Sequence, residues 1–372
     1  MIASECANLE VLDVRGSRIQ VTDAGFAEFV KIATTMKKNK KRCGDKLKSL
    51  NVTRCNLSQQ SLPAMAKLEA LAELKISTNI LDDVHFPEGG GSLEPVVLYA
   101  NDSKDNSNGA MRLALASVKE ITVENDNSFP FISINNIMTL LRHAFPYAKN
   151  IALVNCIACE LHVTLTQHPA NITFMRETIH TLDLVSADYF NFPRLVYPCP
   201  NLESLHIEKP SNDVFNVDQH NIPILYDNTV PFGNLKCLKL SRISLTNLSH
   251  FLSRSRNLKK FKVTNIGRRE RPKWTDERVR QILPCDSVPH LEEFHVSCLP
   301  NEGYSTTESH RYLHLTKATI QYLTGNFRDL KSIEGIESWT PSECHEVALS
   351  SVLNSNTEPA SSDGKTFAIV SF

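Results

Sequence analysis

The chain has 372 residues, with 40 Lys plus Arg against 41 Asp plus Glu and a formal net charge of -1 at pH 7. That balance lacks the basic excess of a dedicated nucleic-acid or membrane-surface protein, so neither is expected as a partner. No stretch approaches the roughly 18 uninterrupted apolar residues of a membrane span, and the opening "MIASECANLE" has neither the basic nor the apolar region of a secretory signal.

Along the chain a phrase of the form Leu-x-x-Leu-x-Leu, with Val, Ile or Phe as variants, recurs about a dozen times. Its first apolar residue falls at Leu9, Leu47, Leu71, Leu93, Val118, Ala148, Ile179, Leu202, Leu235, Leu258, Leu291 and Leu330. Such a period predicts a stack of similar units, none of which buries enough apolar surface to fold alone. The third to seventh residues of each phrase are expected to form a short strand, with alternate side chains on opposite sides. The expected class is therefore an α/β solenoid with a parallel concave sheet and convex helices and loops. It should occupy residues 1–353 as about twelve irregular repeats, and the polar stretch from Asn354 leads into a mostly disordered tail over 354–372.

The convex helices are legible at four places. "VTDAGFAEFVKIATTMKK" offers Thr22 or Asp23 as N-cap, with Phe26, Phe29, Val30 and Ala33 at helical spacing. Leu248, Phe251 and Leu252 repeat the plan, as do Thr275, Val279, Ile282 and Leu283 after Trp274. Ile320 and Leu323 complete the series, with Gly325 expected to stop the last helix. The units between Leu93 and Ile179 are the least regular, interrupted by the Gly/Asn-rich loop 101–110 and by Pro130.

The segment "CANLEVLDVRGSRIQVTDAGFAEF" and "KLKSLNVTRCNLS", with Leu47, Leu50, Val52, Cys55 and Leu57, resemble the cysteine-containing leucine-rich repeats of the F-box family. The resemblance implies a horseshoe fold and a role as the substrate-recognition part of a ubiquitin ligase. Family members carry a helical F-box ahead of the repeats that docks a ligase scaffold. Here the first repeat opens at Met1, and two expectations follow: either the chain is part of a longer product, with scaffold docking in a region absent from it, or its open end is covered by a partner. A first unit without a cap is also expected to leave Leu9, Leu12 and Val14 short of one neighbour. The alternative is a freestanding scaffold or inhibitor with no ubiquitin role.

Function in a solenoid usually lies on the concave sheet. The alternating positions there include Val97, Tyr99, Val154 and Val185 as an apolar centre, followed by Lys239, Lys260 and Lys262 as a basic stretch. These seven are the candidate contacts for a protein partner, with the lysines expected to meet an acidic segment. Lys260 and Lys262 read along the chain as two like charges with no acid between them.

Other patterns carry less chemistry. Cys156-x-x-Cys159-x-x-His162, with His168, has spacing that zinc accepts, yet Cys156 also sits where a repeat wants a small residue in its turn. The basic run Met36–Gly44 fits a nuclear-localisation signal or a solvated helix end, and the latter is favoured. His310 and His314 lack the Glu of a metalloprotease helix, and no phosphate loop or GxSxG is present. No enzyme activity, metal or cofactor is expected. The ten scattered cysteines, without an export signal, indicate free thiols in a reducing compartment: the cytoplasm, with the nucleus as a second location.

Overall fold

The computed structural model describes residues 6, 8–17, 21–35, 44–81, 115–125, 141, 144–156, 178–185, 201–208, 233–241, 252, 255–266, 273–298, 313–339 and 368–370. The chain divides into two compact units, Met1–Phe190 and Asn191–Phe372.

The first unit holds β1 (Val11–Asp13), β2 (Ser49–Asn51), β3 (Glu73–Ser77), β4 (Glu120–Glu124), β5 (Asn150–Val154) and β6 (Thr181–Val185), each parallel to the next in sequence order. The second holds β7 (Ser204–Glu208), β8 (Cys237–Ser241), β9 (Lys260–Ile266), β10 (Glu293–Cys298), β11 (Ser332–Glu334) and β12 (Ala368–Val370), paired in the same manner. From β1 to β11 every strand begins two residues after the first residue of a phrase. Repeating parallel strands with helices between them make an α/β fold.

Two features differ from the expected array. β3 pairs directly with β4, Glu73 opposite Glu120 through Ser77 opposite Glu124, so no strand from the Leu93 phrase lies between them. The physical reason is in the phrase itself: its strand would begin at Pro95, which has no N–H to give to a ladder flanked on both sides. Conversely, Ala368–Val370 falls within the stretch expected as tail, yet forms β12 on the edge of β11. The rest of 354–372, loop 101–110 and Pro130 lie outside the described residues.

Registered pairing stacks like on like. In the first unit Leu50, Leu74, Ile121, Ile151 and Leu182 form one buried ladder and Ile76, Val123, Leu153 and Leu184 a second, none more than 1% exposed. In the second, Leu205, Leu238, Phe261, Phe294 and Ile333 continue the pattern. Each such side chain contributes about 1.5–3 kcal/mol by leaving water. Leu12 on β1 is only half-buried and Val11 is 61% exposed, because among the described residues β1 has a strand on one side only.

Four described α-helices cover the apolar side. In α1 (Asp23–Thr34), Thr22 is the N-cap and its hydroxyl accepts from the Gly25 amide, while Phe26, Val30 and Ala33 turn inward. The short α2 (Leu62–Met65) buries Leu62, Ala64 and Met65. In α3 (Asp276–Ile282) Thr275 caps through the Arg278 amide, directly after the fully buried Trp274. α4 (Lys317–Asn326) runs through Gly325 instead of stopping at it. Nothing requires a left-handed residue at its end, since the Asn326 side chain donates to the Tyr322 carbonyl and the Phe327 amide to Leu323. Of the helix at Leu248–Leu252, only Leu252 is described, helical and buried. Among the described residues no helix is long and apolar enough to cross a membrane.

A left-handed residue is required elsewhere. Gly335 leaves β11 at φ +80°, and a Cβ there would collide with the Val296 carbonyl of the preceding strand. Gly335→Ala is expected to destabilise the second unit by about 1–3 kcal/mol, measured as a lower urea midpoint.

Candidate functional site

One face of each sheet is filled by the ladders, so the alternate side chains stand on the other, open face in registered rows. In the first unit Val154 on β5 and Val185 on β6 are direct neighbours, both half-buried. Beside them on β4 is Glu124, whose carboxylate takes Arg54 Nε at 2.9 Å and Nη2 at 2.5 Å. Arg54 reaches it because it leaves β2 at φ +58°, with its amide held by the Ser77 hydroxyl at 2.6 Å. An apolar pair bounded by an ion pair results. Val97 and Tyr99, expected in the same cluster, lie outside the described residues. Thr53 and Ser77 are 2% and 1% exposed, turned in at the strand exits.

In the second unit the central row runs His206, Lys239, Lys262, His295, Glu334 across β7 to β11. Lys239 is exposed and Lys262 half-buried. His295 is fixed at both ring nitrogens, Nδ1 to Glu334 at 2.8 Å and Nε2 to the Ser297 hydroxyl at 2.9 Å. The row below it runs Ser204, Cys237, Lys260, Glu293, Ser332. Here the expectation of unopposed charge is corrected at Lys260, whose Nζ lies 2.6 Å from Glu293 Oε1 on the next strand. That hydrogen bond raises the Lys260 pKa above its ordinary value, with slight burial opposing and the charge of Glu293 assisting.

Four lysines at strand entrances are also paired across strands. Lys48 meets Glu10, Lys236 meets Glu203, and Lys259 and Lys331 share Glu292. Hydrogen bonds from those two lysines bring the Glu292 carboxyl down to about 2.

Cys55 and Cys156 are structural. Cys55 Sγ donates to the Val14 carbonyl at 3.1 Å and Cys156 Sγ to the Val123 carbonyl at 3.7 Å, each bonding back to the preceding repeat. Burial pushes the Cys156 thiol up to about 12, against weaker lowering by hydrogen bonds at Asn125 and Val154. Burial thus keeps it a neutral thiol. Cys159, His162 and His168 lie outside the described residues, and no metal-holding cluster occurs among those described. Among the described cysteines Cys6, Cys55, Cys156, Cys237 and Cys285 carry free thiols. In comparisons with known proteins, the chain matches no family model and no curated protein.

Proposed function

We propose that this chain is a protein-interaction module: a leucine-rich-repeat solenoid of the horseshoe kind whose open sheet face takes a protein partner. Its role would be that of the substrate-recognition part of an F-box ubiquitin-ligase subunit. The observation that carries the binding role is the pair Val154–Val185, two apolar side chains side by side on the face opposite the core. The core does not need them there, and apolar side chains ringed by polar ones are what interface centres are made of. The ubiquitin part rests on the resemblance of the first two repeats to F-box proteins.

Val154→Gln with Val185→Gln tests it without setting a new charge against Glu124. In an affinity purification from cells the double variant is expected to recover at least tenfold less of the partners bound by the parent, at an unchanged melting temperature. An unchanged partner set overturns the open-face role. Absence of ligase scaffold subunits from the parent's partners, with upstream coding sequence included, overturns the F-box part and leaves a freestanding scaffold or inhibitor.

A further inference from the structure

The described strands carry four lysines, Lys75, Lys239, Lys260 and Lys262. Lys75 is held by Glu73 at 3.0 Å and Lys260 by Glu293 at 2.6 Å. The side chains of Lys239 and Lys262 make no ion pair or hydrogen bond among the described residues, although they face one another across adjacent parallel strands. Adjacent strands lie about 4.8 Å apart, and like charges placed opposite each other oppose folding. A sheet that matches lysine to glutamate at its other strand positions has left one pair of ammonium groups together and unmatched. His295 cannot turn to them, being fixed by Glu334 and Ser297.

We infer that the open face of the second unit binds an acidic peptide segment of the protein partner, with neighbouring carboxylates seated on Lys239 and Lys262. This rests on the open-face role proposed above and gives it a substrate class. Charge complementarity selects the occupant, and the surroundings limit its length. Glu208 stands two residues beyond His206 on β7, and Glu334 ends the row on β11. Carboxylates at these corners repel a long polyanion such as nucleic acid but leave room for two or three acidic side chains between them.

The experiment is fluorescence anisotropy on the full chain with a fluorescein-labelled octaglutamate, its octaglutamine counterpart and an oligothymidylate of eight nucleotides as probes. Octaglutamate is expected to bind at low salt and weaken steeply as salt rises, with octaglutamine at least tenfold weaker. Lys239→Gln with Lys262→Gln should lower octaglutamate affinity at least tenfold and flatten its salt dependence. Lys260→Gln should change it less than about threefold, since Lys260 is already neutralised by Glu293. The double variant should melt no lower than the parent, because a repulsion has been removed. Equal octaglutamate binding by parent and double variant overturns the inference, as does tighter binding of the oligothymidylate. Protection of Lys239 and Lys262 from amine acetylation in the isolated chain overturns it too, by placing this chain's own segment or a second copy there. The two proposals fail separately: loss of partners in the Val154/Val185 variant together with no octaglutamate binding leaves the open-face role standing and removes only the acidic segment.

Discussion

Phe294→Ala is expected to cost the second unit about 3–5 kcal/mol, read as a lower urea midpoint with an unchanged slope. The ring is fully buried, stacked 5.9 Å from Phe261 on the strand before it and set edge-on 6.2 Å from Trp339 after it. Removing it opens a hole that neither neighbour fills, because each is held in its own place. Trp339 is tied by its indole N–H to the Val296 carbonyl at 3.1 Å, and Phe261 lies in the ladder between Leu238 and Phe294. Leu238→Ala and Leu205→Ala, one and two strands from β9 and both 0% exposed, should cost about 2–5 kcal/mol each. The chain supplies its own probe. Its two tryptophans, Trp274 and Trp339, both sit buried in the second unit, so tryptophan fluorescence follows that unit alone while circular dichroism follows both. In a stacked architecture loss should spread to nearest neighbours first. The fluorescence transition is therefore expected to fall well ahead of part of the dichroism transition. An unchanged fluorescence midpoint in all three variants would show the ladder register to be wrong.

The ladders were legible in the sequence because two periods agree in them. Within each phrase, alternation marks which side chains leave water; between phrases, recurrence marks where the next strand starts. Where only one of these holds, legibility ends. The Leu93 phrase alternates well, with Val97 and Tyr99 spaced as on a strand, but Pro95 removes a ladder donor and β3 pairs past it to β4. β12 is the reverse: "AIV" is good strand material with no leucine phrase ahead of it, so only its lane beside β11 marks it. Charge pairing was the least legible. Lys260 looks isolated from acid along the chain, and its partner Glu293 comes from a strand 33 residues away, brought opposite by register. The Val154–Val185 pair, and the Lys239–Lys262 pair within the basic stretch, could be placed on one face from alternation alone, but not set side by side until the register was known.

Asp276→Ala is expected to lower the stability of the second unit by about 2–4 kcal/mol, through a clasp between repeats that the sequence signals only faintly. Asp276 is the first residue of α3, and its carboxylate takes the Thr316 amide at 2.9 Å, the Thr316 hydroxyl at 2.7 Å and the Thr319 hydroxyl, all from the start of α4 in the next repeat. The same device recurs in the first unit, where Asp23 takes the Ser58 amide at 2.9 Å, the Ser58 hydroxyl at 2.7 Å and the Ser61 hydroxyl. Thr-Asp at one helix start thus meets Ser/Thr-x-x-Ser/Thr at the next, a pairing hidden behind the N-cap roles of the same residues. Three hydrogen bonds to a charged acceptor, at about 1.5–3 kcal/mol each, exceed the predicted loss because water reaches this half-buried site and replaces part of them. Burial pushes the Asp276 carboxyl up, but the Thr319 and Thr316 bonds and nearby Arg280 outweigh it and leave its pKa below the ordinary value. With the folded pKa depressed, the contribution is complete above the unfolded value of about 3.9 and fades as pH falls through the folded one. Parent and Asp276→Ala should accordingly differ most at neutral pH and converge in acid, followed by tryptophan fluorescence. Asp23→Ala should leave that signal in place, since its clasp lies in the other unit. A difference that stays constant into acid would mean that Asp276 acts by packing and not as an ionised acceptor.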